Sequence, residues 1–129
     1  MEPNMTTLTS RIVATGVLVV FVFLSGFWLY RSGRPINTII LTVHKLIALG
    51  ALALIGVTIY QINQVTALNA ALWIAVVVTG VLFVVTIITG GLLSLEQPVM
   101  AVSIVHKIGP FLTVAGVVVT MALLANPQP

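Results

Sequence analysis

Cysteine is absent from this chain of 129 residues, and charged residues are scarce. Without cysteine the chain forms no disulfide bond, no thiolate metal site and no covalent c-type haem attachment. Charged residues make up 5% of the sequence and hydrophobic residues 60%, whereas soluble domains carry about 25% charged residues. The net charge of +3 is too small and too scattered for a surface that binds nucleic acid. These shortages exclude a soluble domain and predict an integral membrane protein embedded in the lipid bilayer.

Four apolar segments are each long enough for a helix that crosses the hydrocarbon core, which takes roughly 20 residues. In lipid every backbone polar group must be paired within its own segment, so helix is favoured over strand. The first segment is longer than the apolar part of a signal peptide and ends at a charged turn, so we expect a retained helix. The predicted helices cover residues 12–30, 36–62, 70–95 and 99–124.

Short connections at residues 31–35, 63–69 and 96–98 make successive helices antiparallel neighbours. The sequence therefore predicts an all-α fold, a four-helix up-down-up-down bundle in a single transmembrane domain, 1–129. Pro35 and Pro98 each stand at the entry of the helix that follows, where a missing N–H costs little.

The basic residues predict which side of the membrane each loop faces. Arg31 and Arg34 lie in the first loop, and Lys45 and Lys107 can extend toward the same side, whereas Arg11 is alone on the other. Because Lys and Arg are enriched in cytoplasmic loops, we expect the first and third loops in the cytoplasm and both termini outside. The expected location is a prokaryotic plasma membrane.

Two halves of the chain resemble each other. Thr-Gly-Val-Leu occurs at residues 15–18 and again at 79–82, and the same spacing of 64 pairs Gly26 with Gly90. After a loop two residues shorter in the second half, a spacing of 62 pairs Val-His-Lys at 43–45 with 105–107, and Thr58 with Thr120. We infer an internal duplication, with repeats at about residues 10–62 and 74–124. Two helices per repeat make the repeats parallel, related by a pseudo-twofold axis along the membrane normal.

The duplicated Val-His-Lys contains the only histidines and lysines of the chain, inside segments that are otherwise apolar. An ionisable residue within a membrane helix is costly and is by default a candidate functional residue. His44 follows Pro35 by nine residues and His106 follows Pro98 by eight, which places each roughly 12–14 Å from its helix start. The pseudo-twofold axis predicts that the two histidines face each other from helices 2 and 4.

Two facing imidazoles above a surface of small residues suit a planar macrocycle with two axial ligands. The small residues one and two turns after the histidines are Ala48 and Ala51 in helix 2, and Gly109 and Thr113 in helix 4. Haem b with bis-histidine ligation fits this pattern, with His44 and His106 as metal ligands. Basic side chains near the membrane surface are candidates to pair with the haem propionates, namely Lys45, Lys107, Arg31 and Arg34.

Other interpretations use the same residues. Small residues at helical spacing are the ordinary means of packing membrane helices, and a buried histidine can simply form a hydrogen bond. Zinc needs three or four ligands, and the only acidic residues are Glu2 and Glu96. A retinal Schiff base on a lysine lacks a helical carboxylate counter-ion, whereas bacteriochlorophyll, with one histidine per magnesium, remains open. The threonines of the helices are expected to bond mostly to the preceding turn.

A four-helix unit with one histidine in helix 2 and one in helix 4 resembles one half of the heme A synthase family, whose members are two such bundles in tandem. The resemblance implies that His44 and His106 ligate haem b. The catalytic half of that family carries a glutamate one turn before its first histidine, where this chain has Leu41. Arginine often follows the histidines in the family, where this chain has lysine. Bacterial cytochromes b561 are similar more distantly, and they use more histidines for two haems.

We therefore predict a small membrane b-type cytochrome with one haem, an electron-transfer or haem-binding protein rather than a stand-alone enzyme. It is expected to act alone, as a homodimer or within a larger respiratory or redox complex. One alternative is a half-size enzyme similar to heme A synthase. Another is a cofactor-free membrane anchor or assembly subunit of a larger complex.

Overall fold

The computed structural model describes residues 5–95 and 97–126, and all regular secondary structure within them is α-helical. Glu96, in the third predicted loop, lies outside the described residues. Each helix is long and apolar enough to cross a membrane, which confirms the all-α, membrane-spanning class. The helices are α1 (Met5–Ser32), α2 (Thr38–Val65), α3 (Ala70–Leu92) and α4 (Met100–Ala125).

Asparagine caps explain where two of the helices begin. The Asn37 side-chain oxygen accepts hydrogen bonds from the backbone N–H groups of Ile39 at 3.0 Å and Ile40 at 3.2 Å. Asn69 caps α3 in the same way through the N–H of Leu72 at 2.9 Å. These bonds satisfy donors that have no partner inside the helix.

Pro35 and Pro98 lie shortly before the helices that follow them. The first helical residue of α2 is Thr38 and that of α4 is Met100, instead of residues 36 and 99, so the prolines precede their helices by three and two residues. The helix boundaries differ elsewhere too, since α1 begins seven residues before the predicted residue 12 and α3 ends at Leu92 instead of residue 95. The polar residues before Arg11 continue the helix beyond the apolar run.

The chain divides into two compact units, Met1–Ala67 and Leu68–Pro129. In the first unit α1 packs against α2, and in the second α3 packs against α4. Each unit is thus a helical hairpin, called here the first and the second hairpin. The division falls in the loop between α2 and α3, where the two predicted repeats also separate.

Glycines of α4 make room for threonines of α3 in the second hairpin. A Cβ atom added to Gly109 would lie 2.7 Å from Thr86 Oγ1, and one added to Gly116 would lie 2.7 Å from Thr79 Oγ1. The two glycines are seven residues apart, and so are the two threonines. Because seven residues return to the same helix face, the pairs form two layers of close packing between small residues, as is common for helices in lipid.

Hydroxyl pairs join the same two helices. Thr79 Oγ1 lies 3.2 Å from Thr120 Oγ1, and Thr86 Oγ1 lies 3.3 Å from Thr113 Oγ1. Thr86, Thr113 and Thr120 donate their protons to carbonyl oxygens of their own preceding turns, so Thr79 is the donor to Thr120, whereas Thr86 and Thr113 are in contact without a hydrogen bond between their hydroxyls. The expected bonds to the preceding turn are therefore present, and contacts between helices are added to them.

The first hairpin has threonines at the positions that match Thr79 and Thr120. Thr15 and Thr58, which pair by spacing with Thr79 and Thr120, have 2% and 1% of their surface exposed, against 3% and 1% in the second hairpin. Thr58 donates to the carbonyl of Leu54 at 2.7 Å. Thr15 Oγ1 is buried and has no hydrogen-bond partner among the described residues. The hairpins thus share buried hydroxyl positions but differ in how these are satisfied.

Candidate functional site

Both histidines occupy the same position in their helices. His44 lies six residues after Thr38, where α2 begins, and His106 lies six residues after Met100, where α4 begins. At about 1.5 Å per residue each lies roughly 9 Å along its helix. The distance is shorter than the 12–14 Å expected from the prolines, because the helices begin after the prolines. The prediction of equal positions within the helices holds.

The imidazole of His44 is half-buried and bonds to the neighbouring helix of its hairpin. Its Nδ1 atom lies 2.9 Å from Ser25 Oγ on α1. The Ser25 hydroxyl also approaches the carbonyl oxygens of Phe21, at 2.7 Å, and Val22, at 3.1 Å. Ser25 is therefore anchored to its own helix while it contacts the histidine of the next.

His106 repeats this arrangement in the second hairpin. Its Nδ1 atom lies 3.2 Å from Thr89 Oγ1 and 3.0 Å from the carbonyl oxygen of Thr86, both on α3. The Thr89 hydroxyl approaches the carbonyl oxygens of Val85 at 2.8 Å and Thr86 at 3.1 Å. A hydroxyl side chain anchored to the preceding turn thus contacts Nδ1 of the histidine in both hairpins.

A glycine follows each of these hydroxyl residues, and the histidine ring lies against it. A Cβ atom added to Gly26 would lie 3.1 Å from His44 Cε1, and one added to Gly90 would lie 2.7 Å from His106 Cε1. A larger residue at Gly90 would force the His106 ring to move, and one at Gly26 would require the His44 ring to give by a few tenths of an ångström. The ring is therefore positioned by a serine or threonine at one atom and by a glycine beside it.

The supporting residues Ser25 and Thr89 were missed by sequence reasoning. The spacing of 64 that pairs Gly26 with Gly90 also pairs Ser25 with Thr89, one residue earlier. Hydroxyl residues at matched positions, each followed by a matched glycine, were the pattern that could have revealed them.

The basic residues predicted for the site lie at the loop ends of the hairpins. Lys45 and Lys107 are exposed and directly follow the histidines in the second turns of α2 and α4. Arg31 is in the last turn of α1, with its guanidinium carbon 6.0 Å from the centre of the Phe27 ring. Arg34 is in the connection that follows. The first hairpin thus carries three cations at one end and the second carries Lys107.

The small residues predicted to face a cofactor are used largely inside the hairpins. Ala51 has no exposed surface, and Gly109 and Thr113 are buried. Gly109 and Thr113 both contact Thr86 of α3, which matches the packing interpretation of these residues. Ala48 is half-buried. Contact of these four residues with a cofactor stays a prediction.

The described residues contain no group of three or more His, Cys, Asp or Glu side chains that could hold a metal ion. Among the described residues, His44 and His106 supply two imidazoles as possible metal donors. Comparison of the chain with models of protein families, with characterised proteins and with solved structures finds no match. The resemblance to one half of the heme A synthases therefore stays a prediction that depends on topology and two histidines.

Proposed function

We propose that this protein is a membrane b-type cytochrome that binds one haem b through His44 and His106 and transfers electrons. The observation that carries the proposal is the recurrence of the site. Each hairpin holds one histidine at the same helix position, with Nδ1 bonded to a hydroxyl and the ring against a glycine. A duplication that retains both the histidine and its support favours a shared task for the two rings.

The donor set fits haem b. His44 and His106 would supply two imidazole ligands to the haem iron, and non-covalent binding needs no cysteine. Metal-ligating histidines commonly form a hydrogen bond through their second ring nitrogen, which fixes the orientation of the ring. Ser25 and Thr89 provide that bond here. The proposal requires each hairpin to contribute one ligand.

When bound through His44 and His106, the haem would supply reversible one-electron transfer. The chain supplies the setting for that chemistry. The hydroxyl residues hold the imidazoles in fixed orientations, and the apolar helices keep water away. Lys45 and Lys107 place positive charge next to the ligands, where it can pair with propionates and stabilise the reduced form.

A second candidate is a cofactor-free anchor or assembly subunit of a larger respiratory or redox complex. It is favoured by the bonds of both Nδ1 atoms within their own hairpins and by the close packing of Gly109 against Thr86. In that case the histidines serve helix packing alone.

The visible spectrum of the purified protein separates these functions. We expect the protein expressed with a haem supply to show low-spin b-type bands after reduction with dithionite. His44→Ala and His106→Ala should each remove those bands, whereas Thr42→Ala, an exposed residue in the turn before His44, should leave them unchanged. A folded protein from haem-replete cells that shows no such bands would overturn the cytochrome proposal and favour the anchor.

A further inference from the structure

We propose that Ser25 and Thr89 are positioning residues that hold His44 and His106 as the Nδ1–H tautomer, so that each ring carries the lone pair of its Nε2 atom. The tautomer follows from the hydrogen bonds alone, whereas its use as an iron ligand rests on the proposed function.

The clearest case is His106, because one of its partners can only accept. The carbonyl oxygen of Thr86 lies 3.0 Å from His106 Nδ1, and a carbonyl has no proton to donate. Nδ1 must therefore carry the proton of this bond. A neutral imidazole has a single N–H, and a charged ring is costly at membrane depth. Nε2 of His106 is thus the nitrogen with the free electron pair.

The Ser25 hydroxyl leads to the same result for His44. A hydroxyl has one proton, and Ser25 Oγ donates it to the Phe21 carbonyl oxygen at 2.7 Å. Only a lone pair of Oγ remains to face His44 Nδ1 at 2.9 Å. The imidazole must donate, so the proton of His44 is on Nδ1 as well.

Thr89 acts on His106 in the way that Ser25 acts on His44. Its hydroxyl donates to the Val85 carbonyl oxygen at 2.8 Å, which leaves Oγ1 to accept from His106 Nδ1 at 3.2 Å, so that it shares the one Nδ1–H proton with the Thr86 carbonyl oxygen at 3.0 Å. Serine and threonine commonly make such bonds to the preceding turn of a helix. Here the bond to the preceding turn also affects the neighbouring helix. Because the hydroxyl proton is used in that bond, the hydroxyl oxygen can only accept a hydrogen bond from the histidine ring.

The adjacent glycines allow this contact to form. With Gly26 and Gly90 beside the rings, each imidazole can approach the helix closely enough for Nδ1 to reach the hydroxyl. A serine or threonine followed by glycine is therefore one functional pair. It occurs at residues 25–26 and again at residues 89–90.

Nitrogen NMR of the haem-free protein tests this inference directly. The protein, labelled with ¹⁵N in its two histidines and embedded in phospholipid bilayers, should show two rings that each have a protonated Nδ1 and a bare Nε2. A ring with its proton on Nε2 in the unmodified protein would overturn the inference for that histidine.

Ser25→Ala supplies the matched comparison within one sample. The Nδ1 signal of His44 should shift when its acceptor is removed, while that of His106 stays in place as an internal control. Ser25→Thr keeps the hydroxyl and should restore the original His44 signal. An unchanged His44 signal in Ser25→Ala would overturn the role of Ser25.

The haem-loaded protein gives a second readout. An Nδ1–H that donates makes the ligand more basic and favours ferric iron, so Ser25→Ala should raise the midpoint potential and Ser25→Thr should leave it near the original value. The two proposals fail separately. Rings with Nδ1–H in a protein that never binds haem would contradict the cytochrome and leave the tautomer inference standing.

Discussion

The Nδ1 atom of His106 lies 3.0 Å from the carbonyl oxygen of Thr86 on the neighbouring helix of its hairpin. A backbone carbonyl can only accept a hydrogen bond, so Nδ1 carries the proton of the neutral ring and the opposite nitrogen, Nε2, has none. The same polarity follows for His44 from Ser25 in the first hairpin. Each hairpin thus holds one histidine, a residue that is energetically costly in a membrane helix, in a fixed orientation through equivalent residues.

Substitution of the glycine beside His106 should disturb the site. In Gly90→Ala the new Cβ would lie 2.7 Å from His106 Cε1, and in Gly26→Ala it would lie 3.1 Å from His44 Cε1. We expect Gly90→Ala to cost about 1–3 kcal/mol of stability, the usual range for overpacking, and Gly26→Ala to cost less. Both should reduce the haem-to-protein ratio of the purified protein.

The control for Gly90→Ala is Gly80→Ala on the same helix, where a Cβ meets nothing within 4 Å. It should retain both stability and haem content. If Gly80→Ala and Gly90→Ala behave alike in thermal unfolding and in haem content, the contact between the glycine and the histidine ring has no role.

The threonine pair at the other level of the second hairpin should contribute a small coupling energy. Thr79 and Thr120 lie 3.2 Å apart through their hydroxyl oxygens, and hydrogen bonds between membrane helices average about 0.6 kcal/mol, up to about 1.7. A double-mutant cycle with Thr79→Val and Thr120→Val, followed by reversible unfolding in detergent micelles, should give a coupling in this range. A coupling energy indistinguishable from zero would show that the two threonines touch without a stabilising hydrogen bond.

Thr15 should behave in the opposite way. Its hydroxyl oxygen is buried and has no hydrogen-bond partner among the described residues, and such a group costs about 1–3 kcal/mol. Thr15→Val keeps the shape and removes the unsatisfied oxygen, so it should raise the free energy of unfolding, whereas Thr79→Val lowers it. The same unfolding assay compares the two variants, and a loss of stability in Thr15→Val would contradict the account of this position.

The absence of cysteine makes the topology accessible to labelling. Ser32→Cys marks the end of α1, and Thr66→Cys follows α2 at the opposite end of the same hairpin. The distribution of arginine and lysine predicts that an impermeant maleimide reaches Ser32→Cys from the cytoplasmic side and Thr66→Cys from outside. Ser94→Cys, after α3, should match Ser32→Cys. The reverse pattern in right-side-out and inverted vesicles would mean that the termini are cytoplasmic.

The lysines should influence the potential of the bound haem. Reduction adds a negative charge, which a nearby ammonium group stabilises. Lys45→Ala and Lys107→Ala should each lower the midpoint potential by tens of millivolts in a redox titration, while Lys45→Arg, which keeps the charge, should lower it much less. Equal midpoint potentials in the alanine and arginine variants would show that the charge of the lysine does not influence the haem.

Much of the fold could be predicted from the sequence. The length of an apolar segment, and the need to pair every backbone N–H and C=O group in lipid, almost suffice to determine a membrane helix. The helix starts could not be read as well. Asn37 supplies an accepting side chain two residues after Pro35 and so takes the N-cap position, while the polar residues before Arg11 extend α1 beyond the apolar core.

The histidines could be found from the sequence, but their partners could not. The neighbours that helical spacing predicts for His44 lie one and two turns further along its own helix, at Ala48 and Ala51. The atoms that determine its orientation belong to Ser25 and Gly26 on α1. Only the packing of one helix against another brings residues so distant in sequence together.

The central claim, one haem held by one histidine from each hairpin, is tested most directly by haem quantification together with electron paramagnetic resonance of the oxidised protein. We predict about one haem b per chain with a low-spin ferric signal, in keeping with the two axial histidines required, and loss of that low-spin signal in His44→Ala and in His106→Ala alike. A folded protein without haem, or a low-spin signal that survives in either single variant, would contradict it.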